Sequence, residues 1–389
     1  MRIISIQEAA FPVQSTMRNA VFSFAEMTTS IVAVRLAPAG GGAPVTGFAF
    51  NSTGRYACGQ PMRERFFPRL LRAPAASLLD AQGLLDPAKA VAVMLVGEKP
   101  GGHAERSVPI GTIETALWDA LAKAQGVPLA ELVSQRFRGR PMEQKVSCYV
   151  GGGWYRPGGK PEDVGEEVQR HLDAGYTQVK IKVGGAPLPE DLRRIECALA
   201  QLPDSGCLSV DANAKFDRPE ALAYAKALAP YQLRWFEEPC EPNDFALMAE
   251  VASVYAPPLS TAENLYSAQD VLNLVRFGGW RSHQDLIQVD PPQAYGVHAY
   301  ASLVQTLEKE GWSAKAHFPH GGNQMSLALV AGLGLGGCEA YPGVFGAFGG
   351  FSDDTVVEQG FVQAPQLPGI GFEGHSQLYR LMKTVAERL

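Results

Sequence analysis

Five charged side chains along one stretch of the chain have the types and spacing to share a single chemistry. Lys180 and Lys182 stand in QVKIKVGG, Asp211 in SVDANAKFD, Glu237 in LRWFEEP and Glu263 in LSTAEN. Each acid follows a short run of β-forming residues, and the three recur roughly every 26 residues. That interval holds one strand, one helix and two loops, the repeat of a parallel α/β barrel whose strand C-termini all open on one face. Three carboxylates delivered there repel one another and raise each other's pKa. A hard divalent cation removes the conflict, and an all-oxygen set suits Mg2+. Lys180 and Lys182, two apart on one strand, point to the same side of it. Buried lysines are costly unless anions meet them. Beside a metal-bound carboxylate substrate they are well placed, and a lysine whose pKa is lowered by neighbouring cations can act as a base. Asn213 either points into the same mouth or caps a loop.

A second constellation follows. Asp290 ends the run DLIQVD, and AKAHFPHGG carries His317 and His320. A carboxylate and an imidazole on adjacent strand tips can hydrogen-bond, the acid orienting the ring and raising its basicity. Spacing alone leaves open which histidine faces Asp290. Glu339, further on, would hydrogen-bond a developing oxyanion if protonated, or be structural only.

The elements that must hold these residues are legible as patterns. Strand–helix alternation begins near Gln144, with strands expected at 146–150, 178–183, 208–211, 234–237, 259–263, 285–290, 313–317 and 338–341. Helices are expected after the first seven, at 161–174, 188–202, 219–228, 244–254, 267–277, 296–310 and 323–333. The fold class is therefore α/β: a (β/α)7β TIM-like barrel, placed at 141–350. Ahead of it, 2–11, 31–36 and 45–50 read as a three-stranded meander with a glycine-rich linker between the second and third. Helices follow at 63–73, 87–94 and 109–124, so residues 1–140 form a separate α+β domain. A tail from 351 to 389 is expected to return to that domain and to close with a helix at 377–388.

Composition narrows the classes. The 389 residues are 46% hydrophobic and 19% charged, ordinary for a globular protein. A formal net charge of −6 argues against a nucleic-acid partner. No apolar run approaches membrane-spanning length, and MRIISIQEAAF lacks the order of a signal peptide, which points to the cytoplasm. Six cysteines (Cys58, Cys148, Cys197, Cys207, Cys240, Cys338) are scattered without a CxxC pair and read as reduced thiols.

A KxK strand, then Asp, Glu and Glu on three successive strands, then an Asp–His pair, resembles the enolase superfamily, mandelate racemase branch, along the whole chain including an N-terminal α+β capping domain. That superfamily uses a Lys or His base with magnesium to stabilise an enediolate. Within it, RNAVFSFAEMTTS (18–30), NSTGRY (51–56), EKPGGHAERSV (98–108), FPHGGNQMSLALVAGLGLGGCEAYP (318–342) and LPGIGFEG (367–374) resemble the D-tartrate dehydratases. The resemblance implies Asp211, Glu237 and Glu263 as Mg2+ ligands, Lys182 as the base and Lys180 near the substrate carboxylate. It assigns His320 rather than His317 to Asp290, gives Glu339 a place on the substrate carboxylate, and brings Lys99 into the site from the capping domain. Arg18, Asn19, Arg55 and Tyr56, on loops of that domain, are expected to grip a distal carboxylate. The implied reaction is loss of water from a 2,3-dihydroxy acid, D-tartrate giving oxaloacetate. Dehydration of another sugar acid is the nearest alternative, racemisation or epimerisation of a 2-hydroxy acid the next, and a non-catalytic carboxylate binder the remotest. A homo-oligomer is expected from the family. SCYVGGGWY (147–155), EEPCEPND (237–244) and DPPQAYG (290–296) depart from the tartrate pattern and flank strands one, four and six, where they would reshape the pocket.

Overall fold

The computed structural model describes residues 1–38 and 40–389; Ala39, in the expected glycine-rich linker, lies outside the described residues. Strands β1 (Arg2–Pro12), β2 (Thr28–Ala37) and β3 (Val45–Phe50) form an antiparallel sheet in that order. β2 is buried almost throughout. Helices Ala104–Gln125 and Ser376–Ala386 both pack against it, which is why TTSIVAVRLA runs apolar instead of alternating. Gly47 lets the longer helix press onto β3, since a Cβ there would overlap the Ala116 carbonyl.

The helix expected at 63–73 is interrupted: Met62–Phe66 is a wider π-type turn, followed by a regular helix over Phe67–Arg72. Pro68 offers no N–H to the preceding turn, so regular pairing fails there. Helix Leu129–Arg138 was not among the expected elements, although Gly139, left-handed at φ +61°, marks its end.

Seven parallel strands curl around the second half: β4 (Lys145–Gly152), β5 (Val179–Lys182), β6 (Leu208–Asp211), β7 (Trp235–Glu237), β8 (Leu259–Thr261), β9 (Leu286–Ile287) and β10 (Cys338–Ala340). Their order is β10-β4-β5-β6-β7-β8-β9. The strand expected at 313–317 is a short 3-10 turn over Ala314–Ala316. The Ser313 hydroxyl accepts from the Lys315 N–H, and such local side-chain bonds compete with a ladder. His317 pairs with Ile287 and accepts at its carbonyl from Gly336 N–H, while the Phe318 and His320 N–H groups donate to the Ile287 and Val289 carbonyls, so the ring closes through a short irregular segment. The sixth strand is likewise reduced to two residues, with irregular backbone bonds continuing past it to Val289.

The tail returns to the first domain by way of the barrel. β11 (Phe361–Gln363) first adds antiparallel to β4 in the barrel. Only afterwards does the chain reach the first sheet's helix, where the Ile370 N–H donates to Asp119. All six cysteines are free thiols.

The two halves are joined by helix Ala104–Gln125. Glu114, wholly buried, accepts from the Trp118 indole and from the Val297 and His298 N–H groups, capping barrel helix Val297–Lys309. At Gly111 the helix touches the Pro292 carbonyl so closely that a Cβ would not fit. Truncation by Glu114→Ala strands three buried donors and is expected to cost about 3 kcal/mol. Urea unfolding followed by circular dichroism would detect it, and an unchanged midpoint would contradict this account of the joint.

Candidate active site

Register explains how the charged residues meet. β5 pairs with β6 so that Lys182 lies opposite Asp211, and β6 with β7 so that Asp211 lies opposite Glu237. Side chains level with one another on parallel neighbours point the same way, here into the barrel mouth. Glu263 arrives from the loop after β8. Asp211, Glu237 and Glu263 each offer an oxygen, all within 4.8 Å of one another.

The lysines interleave with these acids at two depths. Lys180 Nζ lies 2.6 Å from Glu237 Oε1, 2.7 Å from Glu339 Oε1 and 3.7 Å from Asp211 Oδ2. Lys182 Nζ, one layer nearer the mouth, lies 2.5 Å from Asp211 Oδ2 and over the Trp154 ring. Burial works against a charged Lys180, but Glu237 and Glu339 override it and hold its pKa well above the usual lysine value. These contacts favour the charged form of Lys180. Burial pushes the Glu237 carboxyl up to about 8, with Lys180 opposing and Asp211, Glu339 and Glu263 adding to the rise. Carboxylates crowded this way, oxygen-only and converging, fit a hard divalent cation with bonds of about 2.1 Å.

On the far side of the triad, His320 Nδ1 lies 2.8 Å from Asp290 Oδ2, and its Nε2 lies 3.5 Å from Glu263 Oε2. Burial opposes the imidazolium, but Glu263 and Asp290 outweigh it and raise its pKa to about 10. His317 is a different residue altogether. It is buried, neither ring nitrogen has a hydrogen-bond partner among the described residues, and burial lowers its pKa to about 4. Glu339 departs from the protonated donor considered above. Burial would raise its carboxyl, but Lys180 and His320 outweigh that and hold it below the usual range. It accepts from Lys180 and from the Tyr341 hydroxyl at 2.6 Å. An ionised carboxylate has no proton to give an oxyanion.

Beside Glu263 and His320 is a cavity of about 50 Å³, lined also by Phe22, Thr53, Gly54, Arg55, Asn213, Glu238, Asn264 and Gln293. Asn213 N–H and Nδ2 both donate to Asp211, so this residue braces a triad acid as well as lining the cavity. Of the first-domain residues expected here, only Arg55 reaches it. Arg18 is exposed. Asn19 is buried, with its amide oxygen taken by the Val21 and Phe22 N–H groups of a turn. Tyr56 is 57% exposed, and Lys99 is exposed and does not line the cavity.

Glu238 and Asn264 were missed by the sequence reading. Both follow a triad acid directly, and strand alternation would turn them away. Backbone kinks turn them back: Glu238 sits at φ +42° and Ala262 at φ +104°.

A profile of the enolase C-terminal domain-like family matches residues 163–377, more than half of the chain. The protein belongs to the enolase superfamily. Relatives of this superfamily member include 3,6-anhydro-alpha-L-galactonate cycloisomerase of Streptomyces coelicolor, 30% identical over 70% of each chain. L-talarate/galactarate dehydratase of Salmonella typhimurium is 29% identical, the match spanning 61% of each chain. Arabinonate dehydratase of Saccharolobus solfataricus is 23% identical over 68% of this chain and 69% of its own. Among solved structures, a racemase from Streptomyces coelicolor with bound magnesium superposes with a TM-score of 0.79 at 22% identity, covering 98% of this chain and 99% of that one. A Salmonella typhimurium L-talarate/galactarate dehydratase variant liganded with Mg and L-glucarate gives 0.76 at 23% identity, covering 96% and 90%. These likenesses establish the architecture of a TIM-like barrel with an N-terminal capping domain.

Calorimetric titration with Mg2+ tests the triad. One ion per chain is expected, with a rise in Tm that EDTA reverses. Glu263→Gln should weaken binding roughly a hundredfold. Equal affinity in that variant would place the cation elsewhere.

Proposed function

We propose that this protein is a Mg2+-dependent acid-sugar dehydratase, with D-tartrate as its substrate and oxaloacetate and water as its products. The observation that carries the reading is the placement of two proton-handling groups on opposite sides of the triad, Lys182 beside Asp211 and His320 beside Glu263. Relatives named as dehydratases of sugar acids support the reaction class. The D-tartrate assignment rests on the likeness of residues 18–30, 51–56, 98–108, 318–342 and 367–374 to the tartrate dehydratases.

Asp211, Glu237 and Glu263 would hold the cation, which when bound supplies Lewis-acid polarisation of the substrate carboxylate. Lys182 takes the α-proton. Lys180, charged beside Glu237 and Glu339, meets the negative charge that develops as that proton leaves. His320, protonated and oriented by Asp290, delivers a proton to the departing 3-hydroxyl, which leaves as water. The resulting enol ketonises to the 2-oxo acid. Residues 1–140 with the tail from 351 would form the cap that shields the mouth, and the Arg55 guanidinium is the cap group available for a distal carboxylate. The chain would act in the cytoplasm as a homo-oligomer on a small hydroxy acid, without nucleic acid or membrane.

The same pair of flanking groups also suits a racemase or epimerase, one group removing the α-proton and the other returning it. Proton NMR in D2O with Mg2+ and a panel of sugar acids, D-, L- and meso-tartrate included, separates the readings. Consumption of D-tartrate with oxaloacetate appearing is expected. Consumption of a different acid alone would keep the reaction and discard the substrate, whereas α-deuteration without water loss would mean racemisation or epimerisation. Lys182→Met should lower kcat by about a thousandfold. Turnover should also decline on the alkaline side as His320 loses its proton, at a pH that its hydrogen bond to Asp290 raises. Asp290→Asn removes that support and should move that decline toward the ordinary histidine range; an unmoved limb would remove His320 from the proton delivery.

A further inference from the structure

Among the residues around the cavity, Glu238 has no task in the reaction above, yet the fold strains to bring it there. It is buried, and it directly follows the triad acid that ends β7. Regular alternation would send one of two consecutive side chains away from the mouth. The left-handed backbone at φ +42°, disfavoured for a residue with a side chain, overrides that. What Glu238 meets is a single group. Asn264 Nδ2 lies 2.9 Å from its Oε1 and 3.1 Å from its Oε2.

The other end of that amide is also taken. Asn264 Oδ1 accepts from Arg55 Nη2 of the cap and lies 3.4 Å from the Tyr266 hydroxyl. The guanidinium sits 5.1 Å from the centroid of the Tyr266 ring. The amide orientation is thus fixed by charge: its NH2 faces a carboxylate and its carbonyl a guanidinium. The root of the same cap loop is tied independently, Gln293 Nε2 donating to the Asn51 and Thr53 carbonyls. At its tip, Arg55 meets Asn264 and Tyr266 of the barrel.

We propose that Asn264 is a positioning residue, a clasp that joins Arg55 of the cap to Glu238 of the barrel and so holds the cap loop over the cavity. It touches no reacting atom in this role. Its effect is on how long a bound acid stays covered, and so on KM more than on kcat. The proposal shares the barrel mouth with the reading above but does not depend on its substrate.

Two variants with a readout independent of turnover test it. In Asn264→Ala, hydrogen exchange across residues 51–58 should speed up about tenfold, with exchange in β6, β7 and β8 and the Mg2+ affinity unchanged. Arg55→Ala, on the cap loop and outside the barrel, should give the same acceleration, and the double variant should add nothing further because one chain of contacts has been cut twice. For whichever acid is turned over, Asn264→Ala should raise KM about tenfold while kcat changes less than about threefold. Unchanged loop exchange in Asn264→Ala, strictly additive effects in the double variant, or Mg2+ affinity falling in step with loop protection would each overturn the clasp. If no acid is turned over, the exchange and metal measurements still decide the matter, so a failed clasp and a failed dehydratase are told apart.

Discussion

A lysine ammonium buried among carboxylates is the constraint on which the rest of this barrel depends. Lys180 sits within 4 Å of Glu237, Glu339 and Asp211. Removing one partner from such a cluster leaves an uncompensated buried charge, which is far more damaging than losing a surface pair. The strands must therefore arrive in one register, because a slip of a single residue would turn the lysine outward and the acids with it. Lys182 repeats the arrangement one layer up, where Asp211 is its close partner and the aromatic face of Trp154 covers it. Depth separates the two lysines functionally: the deeper one is held charged, and the shallower one adjoins the space where chemistry can occur.

Much of this was legible because it is periodic. Asp211, Glu237 and Glu263 recur at the barrel interval, and each ends a β-forming run, so their convergence follows from topology. The barrel helices followed from the same strand–helix alternation, and Asp217 and Ser267 cap two of them. The region around His317 and His320 was not legible, because no strand forms there to give the two residues opposite faces. A 3-10 turn and one bridge replace it, and the backbone then carries only His320 to Asp290. Glu238 and Asn264 escaped for a related reason. Their directions are set by left-handed backbone at non-glycine positions, which tertiary packing imposes and local sequence does not signal. Side-chain reach was the other blind spot: Asn19 and Tyr56 lie on the loops expected to approach the mouth, but one is consumed by its own turn and the other faces solvent.

The joint between the halves uses the same physics as the site, with a different result. Glu114 and Asp119, five residues apart on one helix, are both buried carboxylates. Glu114 receives three donors and serves as an anchor for a helix terminus. Asp119 accepts from Phe48 and Ile370 N–H groups and pairs with Lys123 at 2.8 Å, drawing together β3, the helix and the tail. These acids have their hydrogen bonds made within the fold and leave nothing for a ligand. The barrel-mouth acids converge on one another, and that is what makes their site chemical.

The route of the tail has a consequence for how the protein is made. β4 begins at residue 145, yet its partners β10 and β11 lie at 338–340 and 361–363, and β2 is covered by a helix that starts at residue 376. As the chain emerges from the ribosome, the first sheet and the first barrel strand must therefore wait for the last fifth of the polypeptide before their apolar surfaces are covered. Contacts of such long sequence separation slow folding and prolong the exposure of unpaired edges. During that interval β2, apolar on both faces, is the segment most in need of protection from aggregation, so biosynthesis of this protein should lean on chaperones that hold an incomplete chain.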